Sequence, residues 1–229
     1  MARSLGVARL TATSIVDRQQ VGGSWQTVGS FEVVAKAICK TCNGEWLAQE
    51  ENRVKPYLEP ILHGKRERLD EASREWLAAW IWKTFLVMDT LYKPRTFTVG
   101  DAERFLKYRV PPRKDAWILI GRIKPGPNLS TGGRAITPIV TSVTGKEEGN
   151  ASVWTVKVGS FVAQAIHLVR GPECPRLSFV IRPDRFASKL SSIWPPAGEV
   201  HGSIPLEPDD FHELALRLRG SSRCGWMKS

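Results

Sequence analysis

One stretch, LDEASREWLAAWIWKTFLVMDTLY (69–92), constrains the fold most, because it carries the strongest helical pattern in the chain. Apolar side chains recur along it at three- and four-residue spacing and form a wide face. Such a face is typical of a helix packed into a core rather than of a cofactor site. Asp70 stands at the position of an N-cap, where a carboxylate can accept hydrogen bonds from the first turn. We therefore predict a buried helix that begins after Asp70.

Three further helices are predicted from weaker patterns. The segment 43–64 repeats apolar residues at helical spacing, and Pro56 and Pro60 are expected to break or kink it. A shorter helix is predicted at 100–109, and an amphipathic helix at 209–220.

Beyond residue 111 the pattern becomes β-rich. Short runs of β-branched residues are separated by Gly, Pro and Asn, which is typical of strands joined by turns. Gly159 and Ser160 suit a tight hairpin, whereas the Gly- and Pro-rich residues 125–134 predict a loop. The predicted strands are 31–39, 116–123, 135–143, 151–158, 160–169 and 176–181. The expected fold class is α+β, with an N-terminal strand and helices packed on a C-terminal antiparallel sheet with a terminal helix.

The chain is basic, with 33 Lys and Arg against 23 Asp and Glu and a net charge of +10. A charge of this size favours a polyanionic partner, here DNA or RNA, although a basic surface without a partner is an equally good interpretation. No apolar run approaches the roughly 18 residues of a membrane span, and no signal-peptide pattern is present. We therefore expect a cytoplasmic protein without a membrane partner.

Basic residues concentrate in segment 101–134, which holds eight Lys and Arg against three acids. If these side chains share one face, they would contact phosphate groups without reading the base sequence. The predicted nucleic-acid-binding residues are Arg113, Lys114, Arg122 and Lys124. Unrelated surface charges are the alternative interpretation.

The sequence AICKTCNGEW (37–46) places Cys39 and Cys42 in a Cys-x-x-Cys pair, with Asn43 directly behind it. Such a pair can direct two thiolates at one zinc ion, which requires four ligands. A redox dithiol and two ordinary buried thiols are the other interpretations. Cys174 and Cys224 are far away in sequence, so the pair is predicted to form only half of a zinc site.

The segment VAKAICKTCNGEWLAQEENRVKPYLEPIL resembles the second half of the motif of HNH (ββα-metal) endonucleases. It is similar in particular to bacterial and phage proteins with a Cys-x-x-Cys-Asn-x-x-Trp signature, and the resemblance continues in EWLAAWIWKTFLVMD, IRPDRF and WPP. The resemblance implies that Cys39 and Cys42 hold half of a structural zinc site and that Asn43 faces a catalytic Mg or Mn ion. An ion there would polarise the scissile phosphate.

The family motif begins with an earlier Cys-x-x-Cys and a Glu-His or Asp-His pair, whose His is the general base, but residues 1–38 contain neither Cys nor His. We therefore expect an incomplete HNH-like zinc-knuckle region at 1–66, followed by an α+β domain at 67–229. The catalytic base is unassigned, although His63 is the histidine closest in sequence to the knuckle. The intact family form is expected to hydrolyse phosphodiester bonds with the help of a metal ion. This chain is expected to be truncated and to show weak or no activity. The alternative is a non-catalytic nucleic-acid-binding or interaction remnant.

Overall fold

The computed structural model of the protein describes residues 18–20, 23–27, 45–65, 68–90, 95–124, 130–140, 147–170, 185–196 and 204–215. The helices are α1 (Trp46–Leu62), α2 (Glu71–Asp89), α3 (Val99–Tyr108) and α4 (Asp210–Ala215). The strands are β1 (Arg18–Gln20), β2 (Gly23–Thr27), β3 (Ala116–Arg122), β4 (Ser130–Val140), β5 (Glu147–Val158), β6 (Phe161–Arg170) and β7 (Leu190–Trp194). The predicted strands 31–39 and 176–181, and residues 216–220 of the predicted last helix, lie outside the described residues.

The α+β fold class is confirmed, with three helices ahead of most strands and a short helix after them. The strands form one sheet in the order β1-β2-β4-β5-β6-β3-β7, in which each strand pairs antiparallel to its neighbours. Helices α1 and α2 pack on one face of this sheet and share its larger apolar cluster. The smaller cluster includes residues of α4 and of the strands' opposite side. Within the described part of the chain, no helix has the length and apolar character needed to cross a membrane.

Helix α2 is the predicted central helix, and its N-cap is confirmed. The Asp70 carboxylate accepts a hydrogen bond of 2.8 Å from the backbone N–H of Ser73. Along the helix, Leu77, Trp82 and Phe85 are completely buried. The wide apolar face of this segment therefore lies in the core, as its periodicity predicts.

Helix α1 continues through both of its prolines, so a break at these positions is wrong, while the alternative of a kink stays a prediction. Its buried Val54 and Leu58 lie in the same apolar cluster as α2 and the sheet. Pro56 is exposed and thus lies on the other side of the helix. The packing of the buried face holds the helix together although each proline removes one backbone donor.

The predicted hairpin at Gly159 and Ser160 is confirmed, because it joins β5 to β6 with Val158 opposite Phe161. Gly159 has a φ of 57°, which favours glycine. A Cβ atom on Gly159 would lie 2.6 Å from the carbonyl oxygen of Leu62, and Ser160 donates its N–H to that same oxygen at 3.0 Å. The hairpin thereby anchors the C-terminal end of α1.

Part of the predicted loop 125–134 is strand instead, since β4 begins at Ser130. Gly133 pairs with Thr27 on one side and with Thr155 on the other. Pairing with two neighbouring strands stabilises a conformation that two consecutive glycines disfavour locally. The sequence pattern also missed strand β7.

Candidate nucleic-acid interface

The predicted metal ligands Cys39, Cys42 and Asn43 lie outside the described residues, as do Cys174 and Cys224. By their chemistry, Cys39 and Cys42 supply two of the four ligands that zinc needs, and the Asn43 amide oxygen supplies one ligand for Mg or Mn. Among the described residues, no group of three or more His, Cys, Asp and Glu side chains is placed to hold a metal ion. This donor set alone does not make a complete site for either ion.

Helix α1 begins shortly after the Cys-x-x-Cys-Asn segment in sequence. Trp46 follows Asn43 by three residues and begins this helix. Its ring centroid lies 6.3 Å from that of Phe105, and the guanidinium carbon of Arg109 lies 3.8 Å from the Trp46 centroid. A cation at this distance over an indole face makes a favourable cation–π contact. The start of α1 is therefore packed against the C-terminal end of α3.

Helix α3 has well-defined ends. Thr98 and Asp101 form a capping box, in which the Thr98 hydroxyl accepts from the Asp101 N–H at 3.1 Å and the Asp101 carboxylate accepts from the Thr98 N–H at 2.7 Å. At the other end, Arg109 has a φ of 59° and donates its N–H to the Phe105 carbonyl at 2.8 Å. These hydrogen bonds determine where the side chains of α3 are presented.

The exposed side of α3 combines an aromatic ring with cations. Tyr108 is 54% exposed. The guanidinium carbon of Arg104 lies 5.6 Å and the Nζ of Lys107 lies 5.1 Å from the centroid of its ring. Both basic residues are themselves exposed. A ring beside cations is the combination by which proteins bind nucleic-acid strands.

The four predicted binding residues lie at the two ends of β3. Arg113 and Lys114 are exposed and precede this strand, whereas Arg122 ends it and Lys124 follows. A strand of this length spans about 20 Å, so the two pairs do not form one cluster. Arg122 is partly buried, and the Lys124 ammonium forms a 2.6 Å ion pair with Glu207.

Only the first of these pairs lies near α3. Arg113 follows Tyr108 by five residues, so their Cα atoms are at most about 18 Å apart. The turn between them is held on the sheet, because Trp194 donates its Nε1–H to the Pro112 carbonyl at 3.2 Å and the Arg113 guanidinium lies 5.6 Å from the Trp194 ring. We name this set the α3 basic surface: Arg104, Lys107, Tyr108, Arg113 and Lys114.

The four residues singled out from the sequence include Arg113 and Lys114 of the α3 basic surface, whereas Arg104 and Lys107 were counted only in the basic segment 101–134 and Tyr108 was not considered. The segment ERFLKYR (103–109) did carry a signal, since cations and aromatic rings alternate in it. That signal is ambiguous on its own, because Phe105 in the same segment is buried.

The described histidines do not lie on this surface. His63 caps the far end of α1, which puts it about 26 Å along the helix from Trp46, at the end of β3 that carries Lys124. His167 is buried, and His212 is exposed on α4.

His167 belongs to a buried group beneath the start of α3. Its Nε2 lies 3.5 Å from the Oδ1 of Asp101, and its ring stacks on Phe97 at 4.7 Å. Burial raises the pKa of Asp101, but the neighbouring His167 and the hydrogen bonds from Thr98 outweigh this effect and hold the pKa below its ordinary value. The buried imidazole is inaccessible to a substrate, so we assign this group a positioning role for α3.

A partly buried ion pair joins α1 to α2. The Nζ of Lys83 donates to the Oε1 of Glu51 at 2.9 Å, and only 6% of the Lys83 side chain is exposed. Burial lowers the pKa of Lys83, which Glu51 partly opposes. This pair is structural in its setting, since it lies between two packed helices.

Comparison of the chain with known protein families, with curated proteins and with solved structures finds no match in any of the three.

Proposed function

We propose that this protein binds nucleic acid through the α3 basic surface. The observation that carries the proposal is Tyr108, half exposed with Arg104 and Lys107 beside its ring. Arg113 and Lys114 extend the positive charge onto the neighbouring turn. The net charge of +10 supports a polyanionic partner independently.

Four cations on this surface suit binding to phosphate oxygens. Such binding releases counterions, so affinity falls steeply as salt rises and depends little on base sequence. The opposite end of β3 is less suited to the same role, because Lys124 already pairs with Glu207 there.

The test compares two double variants that remove the same charge. Arg113→Ser with Lys114→Ser takes two cations from the α3 basic surface, whereas Lys65→Ser with Lys124→Ser takes two exposed cations from the other end of α1 and β3. Fluorescence anisotropy with a labelled DNA duplex is measured over a series of salt concentrations. Removing a cation that neutralises one phosphate should reduce the slope of log K against log salt by about 0.9.

We expect the first double variant to lower both affinity and slope, and the second to change them little. Equal decreases in the two variants would mean that net charge alone drives binding, and an absence of binding at low salt would overturn the proposal.

Hydrolysis of phosphodiester bonds by an HNH-type mechanism is the second candidate function. It is favoured by the Cys39-x-x-Cys42-Asn43-x-x-Trp46 signature, together with the contact of Trp46 with Arg109, which brings the residue closing this signature to the end of α3. Cys39 and Cys42 would supply two of the four zinc ligands and the Asn43 amide oxygen one ligand for Mg or Mn, so both ions would need further residues.

The test is cleavage of a labelled DNA strand with Mg or Mn, by the chain and by its Asn43→Ala variant. We expect weak or no cleavage, because general-base catalysis is worth about 10²–10⁴ in rate and no base is assigned. Cleavage that Asn43→Ala abolishes would support the nuclease, and cleavage that survives it would exclude Asn43 from the reaction.

A further inference from the structure

We infer that the α3 basic surface prefers single-stranded nucleic acid, with Tyr108 stacking on an unpaired base. This inference rests on the proposed binding of nucleic acid and specifies the form of the partner.

The backbone beneath Tyr108 is held in place. Tyr108 is the last residue of α3, and the next residue, Arg109, has a φ of 59° and its guanidinium over the Trp46 ring at 3.8 Å. Phe105, one turn earlier, is buried against the same tryptophan. An aromatic side chain on a fixed backbone loses less conformational freedom when it stacks on a base than one on a mobile segment, so more of the stacking energy appears as affinity.

Two cations lie over the Tyr108 ring. Arg104 and Lys107 approach the Tyr108 ring to 5.6 and 5.1 Å, and both side chains are exposed. Long basic side chains beside a ring can turn from the ring to the phosphates that flank a base stacked on it. The surface therefore offers stacking and charge neutralisation within one turn of helix.

A duplex cannot use the ring in this way. Its base faces are covered by neighbouring base pairs, and exposing one costs unstacking energy. The cations contribute to binding of both forms, whereas Tyr108 contributes only where a base is unpaired. The ring thus adds affinity for single strands alone.

The experiment measures binding of an oligothymidylate about 20 nucleotides long, which exceeds the usual site of about 4–16 nucleotides, and of a duplex of the same length. The proteins are the full chain and its Tyr108→Ala and Tyr108→Phe variants, at one salt concentration. Tyr108→Phe keeps the ring and is the matched control. We expect Tyr108→Ala to weaken single-strand binding about fivefold or more, with little change for the duplex, and Tyr108→Phe to bind like the original.

The outcomes separate this inference from the proposal on which it rests. If the chain binds both forms equally, or Tyr108→Ala weakens both to the same extent, the single-strand preference is wrong while nucleic-acid binding stands. If Tyr108→Phe loses as much affinity as Tyr108→Ala, stacking is not the cause and the inference fails. If neither form binds, the proposed function itself is overturned.

Discussion

The Nε2 of His167 on β6 lies 3.5 Å from the Oδ1 of Asp101 on α3. This pair joins the interior of the sheet to the helix that carries Tyr108. Asp101 also closes the capping box at the start of α3. One carboxylate therefore determines both where α3 begins and how it is attached to the sheet.

Asp101→Asn should destabilise the protein by about 1–2 kcal/mol near neutral pH, because the amide keeps an acceptor but loses the charge beside His167 and Thr98. The folded-state pKa of Asp101 is lowered, so its contribution is complete above the unfolded-state pKa and is lost as pH falls through the folded-state pKa, that is, below about 4. Urea denaturation at several pH values measures the difference.

The control is Glu103→Gln, which removes a charge from an exposed residue of the same helix. This role for Asp101 would be contradicted if Glu103→Gln lost as much stability as Asp101→Asn. It would also be contradicted if the difference in free energy of unfolding between Asp101→Asn and the original chain stayed constant down to the lowest pH.

Arg109 combines a left-handed backbone with a stacked side chain, and two substitutions separate these effects. Arg109→Ala and Arg109→Gly both remove the guanidinium from the Trp46 ring, but only glycine adopts a φ of 59° without strain. We expect Arg109→Ala to lower the free energy of unfolding by about 1 kcal/mol more than Arg109→Gly does. Chemical denaturation would show this, and an equal or larger decrease for Arg109→Gly would contradict it.

Gly159 and Gly100 are expected to respond to alanine in opposite directions. At Gly159 the φ is 57° and the new Cβ would lie 2.6 Å from the backbone oxygen of Leu62, so Gly159→Ala should cost about 2 kcal/mol or more. Gly100 is exposed in the first turn of α3, where the nearest atom to a Cβ is the Thr98 hydroxyl oxygen at 3.6 Å. Gly100→Ala should be neutral or stabilise by up to about 1 kcal/mol. Thermal unfolding of both variants tests the contrast, which a decrease in stability at both positions would refute.

The Lys83 ammonium without its ionic partner should destabilise the fold more than an apolar side chain at the same position. Glu51→Gln leaves the buried ammonium without its ionic partner and should destabilise the fold, whereas Lys83→Met should be neutral or stabilising. The pKa of Lys83 is lowered by burial, so the charged form is penalised in the folded state. The original chain should therefore gain stability relative to Lys83→Met as pH rises from the folded-state pKa towards about 10. Denaturation curves of both proteins across this alkaline range measure the change. If the original chain instead loses stability relative to Lys83→Met as pH rises, the pairing with Glu51 outweighs the effect of burial.

Zinc content tests the half-site at Cys39 and Cys42. Two thiolates give half of a tetrahedron, and we expect less than one weakly held zinc per chain by native mass spectrometry. A stoichiometric zinc that resists chelators would instead require further ligands, for which Cys174 and Cys224 are the remaining thiols of the chain.

Local sequence patterns were sufficient for the elements whose cause is local. The periodicity of α2, its cap at Asp70 and the hairpin at Gly159 each depend on residues within one helix or turn, and each is present as predicted. The change from helical to β-rich patterning likewise predicted the α+β class.

Other features depend on partners that are distant in sequence. Gly133 is in a strand because β2 and β5 pair with it, and α1 passes through Pro56 because its buried face packs on α2. Arg113 and Lys124 looked like members of one cluster, but β3 extends between them. The end of α3 beside Tyr108 is packed by the contact of Arg109 with Trp46, a residue from another helix. Periodicity records which side of an element is buried, whereas long-range pairing determines which exposed side chains meet.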